Sequence, residues 1–395
     1  MQRTSGCLSR RELFAVSGLA AGALSAAAAS APAAPVSVAK VRSYDEDLVT
    51  QFEKMFDQIG GIGKLVQGKT VAMKLNLTGD GRFEGYTVGQ THWVHPKVVG
   101  ALTAVFGKLG ARRVRILESA GRREGALLED KLLSGGWDVG AIKNAAPAVE
   151  FEDTNGLGQG KQYSTLKVRT KPYIFQAFNL NHAYEDCDFF VSVGKMKNHE
   201  EMGITMSMKN LFGITPEVLY GGRERIFHYG SVQAPSGAPA EIDPKSDRYE
   251  GWRMPRLLTD ICGARPIDLA ILDGIESCVG GEGPWCLGSK PAKPQLLLAG
   301  RNCVSTDAVG LAAMGYNPRA GRHEPPFRVY KNPKNHPPEQ LIPPGETHQF
   351  ADNILLIAEA VGMGSADLSK IDLRGVPIKD AVFDFDAFWK GQMRV

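Results

Sequence analysis

The stretch V-G-K-M-K-N-H-E-E-M-G-I-T-M-S-M-K-N-L-F-G, from Val193 to Gly213, gathers Lys195, Lys197, His199 and Lys209 beside glycines. Cationic groups held this close repel one another unless an anion sits among them. An anion or carboxylate site is therefore the expectation, with Lys195 and Lys197 as its donors; the alternative is a solvated basic loop running into a helix. Lys209-Asn210 closes a methionine-rich stretch. A lysine desolvated there acquires a lowered pKa suited to a base or Schiff-base role, whereas one whose stem reaches back to water does not.

Other chemistry-bearing residues fall where strands are predicted to end. Lys74 and Asn76 follow one apolar run, Glu118 and Ser119 a second, and Asp273 and Glu276 a third, in D-G-I-E. Gly280-Gly-Glu-Gly-Pro284 could bring backbone amides close to a ligand. Asp307 begins a helix, and His95-Pro96 precedes another. The expected roles are Lys74, Asn76, His95, Lys195, Lys197 and Asn210 for substrate, and His199, Lys209 and Asp273 for acid–base chemistry. Asp273, Asp307 and His199 form the expected donor set should a divalent metal be bound. Each has a plainer explanation. Asp307 suits a helix dipole whatever its role, Asp273-Gly274 is a common turn pair, and His95-Pro96 suits a helix start.

These residues need a scaffold that brings strand ends to one edge. Short apolar runs at Thr70–Asn76, Arg113–Leu117, Val149–Glu152, Cys187–Val193, Asp268–Leu272 and Gln295–Ala299 read as strands. Helical spacing at Asp45–Ile59, Lys97–Leu109 and Ser305–Met314 alternates with them. The pattern predicts an α/β fold from Lys40 onward, a mainly parallel or mixed sheet flanked by helices. Gln295–Ala299 is expected as a central parallel strand. Two lobes are expected, at 41–185 and 186–395. Asn317–Phe350 carries eight prolines and His323, His336 and His348, the pattern of a lid or binding loop. Open α/β sheets bind ligands outside the carboxyl ends of their strands.

The chain has 395 residues and a formal charge of +3, too balanced for a nucleic-acid partner. Ser9-Arg10-Arg11-Glu12-Leu13-Phe14, followed by an alanine-rich stretch, reads as a twin-arginine export signal ending near residue 33. The expected location is periplasmic, with no membrane span after cleavage. Cys187, Cys262, Cys278, Cys286 and Cys303 remain after it; no C-x-x-C occurs, so no iron–sulfur cluster motif is present. Cys278 and Cys286 flank the glycine loop and read either as a disulfide or as two buried thiols.

In order, Val71–Asn76, His95-Pro96, Glu118-Ser119, K-M-K-N-H with M-K-N-L-F-G, D-G-I-E with its glycine loop, and S-T-D-A-V-G-L-A-A-M-G at Ser305–Gly315 resemble the domain-of-unknown-function family 362. The resemblance spans about residues 41–375. It implies an α/β domain that often carries either an export signal or an appended ferredoxin-like domain; this chain has the first and lacks the second. No reaction comes with the family. The leading expectation is an exported enzyme acting on a small anionic or carboxylated molecule. A two-lobed anion-binding protein and a redox protein served by a separate electron partner are the alternatives. Nothing in the sequence speaks to oligomeric state.

Overall fold

The computed structural model describes residues 34–79, 81, 91–119, 127–221, 237–286, 288–329, 346 and 349–392. The expected signal at 1–33 and most of the proline-rich loop, with His336 and His348, lie outside the described residues.

Eight strands form one sheet: β1 (Val36–Lys40), β2 (Thr70–Lys74), β3 (Arg113–Glu118), β4 (Val149–Asp153), β5 (Phe189–Lys195), β6 (Leu269–Gly274), β7 (Leu296–Gly300) and β8 (Leu373–Gly375), in the order β8-β1-β7-β6-β5-β2-β3-β4. The block β6-β5-β2-β3-β4 is parallel throughout. The fold is α/β, with a mixed, mostly parallel sheet. The division expected near residue 186 falls just before β5, in the middle of this sheet.

Both faces of the sheet are buried, which is why its strands read as continuous apolar runs. Val71, Met73, Val191, Val193 and Ile271 point into one core, together with Phe52, Met55 and Phe56 of helix α1 (Leu48–Gln58) and Val98, Leu102 and Phe106 of helix α2 (Pro96–Lys108). Ala72, Phe190, Ala270 and Leu272 point into the other, with Met254, Leu257 and Ile261 of helix α3 (Glu250–Ala264) and Val304, Ala308 and Leu311 of helix α4 (Cys303–Ala313). The period-2 alternation of strand side chains accounts for the split.

Two expectations are corrected. The strand near Gln295–Ala299 exists, but β7 runs antiparallel to both β6 and β1. Among the described residues no helix separates β6 from β7. A two-stranded ribbon, Ser277–Val279 with Lys290–Ala292, turns the chain back at the same edge, and an apolar run reports burial rather than direction. The fold also begins before Lys40: β1 lies inside the sheet, bonded to β7 on one side and β8 on the other. Its five residues sit beside an alanine-rich stretch that hides their pattern. No described helix is long and apolar enough to cross a membrane.

Candidate active site

Parallel pairing brings the carboxyl ends of β2, β3, β5 and β6 to one edge, and their last residues carry the charges. The register sets Asp273 on β6 opposite Lys195 on β5. Lys195 Nζ donates to Asp273 Oδ2 and to Tyr44 Oη, both at 2.9 Å. Tyr44 Oη donates to Asp273 Oδ1 at 2.9 Å, and the His95 main-chain N–H donates to Oδ2 at 3.0 Å. Lys195 and Asp273 are fully buried, Tyr44 is 5% exposed and His95 8%. The His95 ring stacks on Tyr44, with centroids 3.7 Å apart and planes 8° from parallel.

Burial moves these groups away from charge. It lowers the Lys195 pKa against the opposing pull of Asp273, and raises that of Tyr44, with Asp273 adding to the rise. Burial also brings His95 down to about 4, outweighing the attraction of Asp273. His95 is the N-cap of α2, and its Nδ1 accepts the Lys97 N–H at 3.1 Å, so the neutral ring carries its proton on Nε2. Among the described residues that Nε2–H has no partner.

One strand along, Lys74 Nζ pairs with Glu118 Oε1 at 2.7 Å and donates to the Leu75 carbonyl at 2.7 Å. Burial lowers the Lys74 pKa and Glu118 opposes it. Asn210 ties the cluster together: its Nδ2 donates to the Lys74 carbonyl (3.1 Å) and Ser192 Oγ (3.0 Å), while its Oδ1 accepts from Asn76 Nδ2 (3.3 Å). Asn76 Oδ1 is buried without a hydrogen-bond partner. A Cβ at Gly213 would stand 3.0 Å from Lys74 Nζ and 3.1 Å from Glu118 Oε1, so the pair would have to give by a few tenths of an ångström to admit one.

Beyond β5, Lys197 is fully buried and donates to two main-chain carbonyls, His92 at 2.6 Å and Glu282 at 2.8 Å. Burial brings its pKa down to about 8. It forms no ion pair with a carboxylate among the described residues. His199 Nδ1 accepts the Glu201 N–H at 3.1 Å and lies 3.7 Å from Glu282 Oε2. Lys209 Nζ sits 4.7 Å from the centroid of the Phe212 ring. Asp307 accepts from Ser207 N (3.0 Å), Ser207 Oγ (2.6 Å) and Met208 N (3.0 Å), so it caps the short helix Met206–Asn210 from α4.

The structure thus groups Lys195, Asp273 and His95 in one network and Lys74, Asn76 and Asn210 in a second. It keeps Asp273, Asp307 and His199 in three different networks rather than in one donor set. The counter-charge of Lys195 comes from Asp273, 78 residues further on, and that of Lys74 from Glu118. Tyr44 is the participant that sequence reasoning left out, while Glu118 and Glu282 were seen but given no role. Glu118 was visible at a strand end. Tyr44 is 229 residues from Asp273, and no spacing rule connects them. Cys278 and Cys286 are free thiols, not a disulfide.

A thylakoid-associated protein of Synechocystis, sll1697, is 25% identical over 281 residues, 69% of this chain and 72% of that protein. A crystal structure of a Thermotoga maritima protein overlaps 45% of this chain and 40% of its own, at TM-score 0.30 and 16% identity. That likeness is too slight to carry an argument, and this chain spans well under half of that protein's length. The model of a domain of unknown function, DUF362, matches residues 71–312. That is well over half of the chain and narrower than the motifs suggested. It runs from within β2 into α4 and takes in every residue of the site described here except Tyr44. The chain belongs to the DUF362 family.

Proposed function

We propose that this protein is an exported enzyme that moves protons on a small anionic, carboxylate-bearing molecule at the carboxyl edge of its sheet. The observation that carries the reading is the buried Tyr44–Lys195–Asp273 network with His95 stacked on it. A buried ion pair costs several kcal/mol per ion in desolvation and is weak evidence of stabilisation, and groups with shifted pKa values cluster at functional sites. His95 would face the substrate, its neutral Nε2–H donating to a developing oxyanion. Tyr44 would hold the ring by stacking, with Lys195 and Asp273 fixing Tyr44 and Asp273 fixing the His95 main chain. Lys195 and Lys74 have protein counter-ions, so the substrate's charge would be met by Lys197. Residues 1–33 would be the twin-arginine signal, removed ahead of β1.

The test is a thermal-shift screen of small carboxylates and phosphate on the purified protein, followed by mass spectrometry for products. The expected result is that one anion stabilises the wild type, by about 2.7 kcal/mol at 100 times its Kd, and stabilises Lys197→Met less. His95→Gln should still bind that anion and turn over far more slowly. Binding without product in the wild type would make the protein a binder, and no shift with any anion would end the anion reading. For export, Arg10→Lys with Arg11→Lys should keep the protein in the cytoplasm; undiminished periplasmic protein would refute the signal.

A further inference from the structure

The glycine loop and the turn after His199 bring together side chains that the reading above does not use. Glu200 follows the ribbon strand Asn198–His199; Glu282 and Cys286 come from the loop after Ser277–Val279. One ligand atom from each of Glu200, Glu282 and Cys286 lies within 4.8 Å of the other two. Donors around a tetrahedral zinc at about 2.0–2.3 Å stand roughly 3.3–3.8 Å apart, so a contraction of about 1 Å would close the set. Glu282 is 5% exposed and Cys286 4%.

Two further features point to a cation. Among the described residues Glu282 has no Lys or Arg within ion-pair distance; its carboxylate is held by the Trp285 Nε1–H and the Glu200 N–H, both at 3.0 Å, with the His199 ring at 3.7 Å. Two carboxylates and a thiol thus share one corner, with Glu282 and Cys286 buried and Glu200 half-buried. The loop is also shaped around the sulfur: a Cβ on Gly281 would fall 2.3 Å from Cys286 Cβ and 2.7 Å from its Sγ. Trp285 and the Glu200 N–H fix the orientation of Glu282, as outer partners do around metal ligands.

We propose that Glu200, Glu282 and Cys286 bind one thiophilic divalent transition metal, zinc(II) or iron(II), with a coordination position left open. A thiolate among the ligands selects against magnesium and calcium. The metal–sulfur bond forms as the S–H bond breaks, and that proton leaves to solvent. Three protein ligands with an open fourth position is the arrangement of catalytic rather than structural zinc. The inference deepens the enzyme reading by naming a Lewis acid at the same edge of the sheet. Its readout is metal content rather than turnover, so the two can fail separately.

The experiment titrates the metal-stripped, reduced protein with zinc(II) against a chromogenic chelator, and with cobalt(II) while recording absorption. One equivalent of zinc should compete with the chelator, more tightly as pH rises. Cobalt(II) should give a thiolate-to-metal charge-transfer band that disappears in Cys286→Ser and persists in Cys278→Ser. Glu282→Gln should weaken zinc by more than the roughly 10–100-fold typical of losing an outer partner. Failure to compete for zinc, or a charge-transfer band that survives in Cys286→Ser, overturns the proposal. Should Cys286→Ser fail to fold, the wild-type cobalt spectrum decides, and a bound cobalt without a thiolate band is equally fatal.

Discussion

Asp273 and Asp307 look alike in the sequence and do opposite things in the fold. Both are fully buried. Asp273 meets an ammonium, a phenol and two main-chain N–H groups, so its charge has a counter-ion. Asp307 meets only neutral donors, and burial pushes its pKa up to about 7 against the pull of those hydrogen bonds. Its task is mechanical. Met206 sits at φ 50, a left-handed conformation that costs a non-glycine residue of order 1 kcal/mol or more, and Asp307 holds the two N–H groups that follow. A buried carboxylate is defined by its partner, and neither residue type nor burial reveals which partner it has.

The largest effect expected from breaking this contrast lies at the ion pair. Asp273→Ala or Lys195→Met alone leaves an uncompensated buried charge and should cost about 3–5 kcal/mol in urea unfolding. The double variant Lys195→Met/Asp273→Leu should recover a large part of that. Simple additivity would show that the two residues do not act as a pair. A smaller effect follows from Asp307. Its folded pKa lies above the unfolded value, so the folded state holds the extra proton between about pH 4 and 7. That contribution is present at the acid end and lost as pH rises through about 7. The wild type should therefore lose stability relative to Asp307→Asn across this window, by an amount of order 1–4 kcal/mol. Parallel stability–pH curves for the two proteins would refute the assignment. The smallest effect belongs to Tyr44→Phe, which keeps the stacked ring and removes one hydroxyl; about 1–2 kcal/mol is expected. A cost near zero would mean that the phenol lies outside the network's energetics.

Much of the scaffold was legible because both sheet faces are buried, which leaves apolar runs at β2, β3, β5 and β6 that stand out against turn residues. The carboxyl-edge position of Lys74, Glu118, Lys195 and Asp273 followed from those runs. What could not be read was anything set by pairing across the chain. The direction of β7 depends on a ribbon that turns back rather than crossing over. The counter-ion of Lys195 depends on the register between β5 and β6. Tyr44 enters from the segment ahead of α1. Glu282 was seen only as part of a glycine loop, where backbone amides drew attention away from its carboxylate.

The placement of β1 has a consequence for how the protein is made. Val36 pairs with Gly300 and with Leu373, so this residue of the first strand waits for partners synthesised 264 and 337 residues later. At about 5–20 residues per second, a ribosome needs roughly 13–50 s to deliver the first of them. Until then V-S-V-A-K is an unpaired apolar segment available to holding chaperones. The sheet closes only once β8 has been made, and trimming past Val36 would open it from the inside rather than shorten an edge.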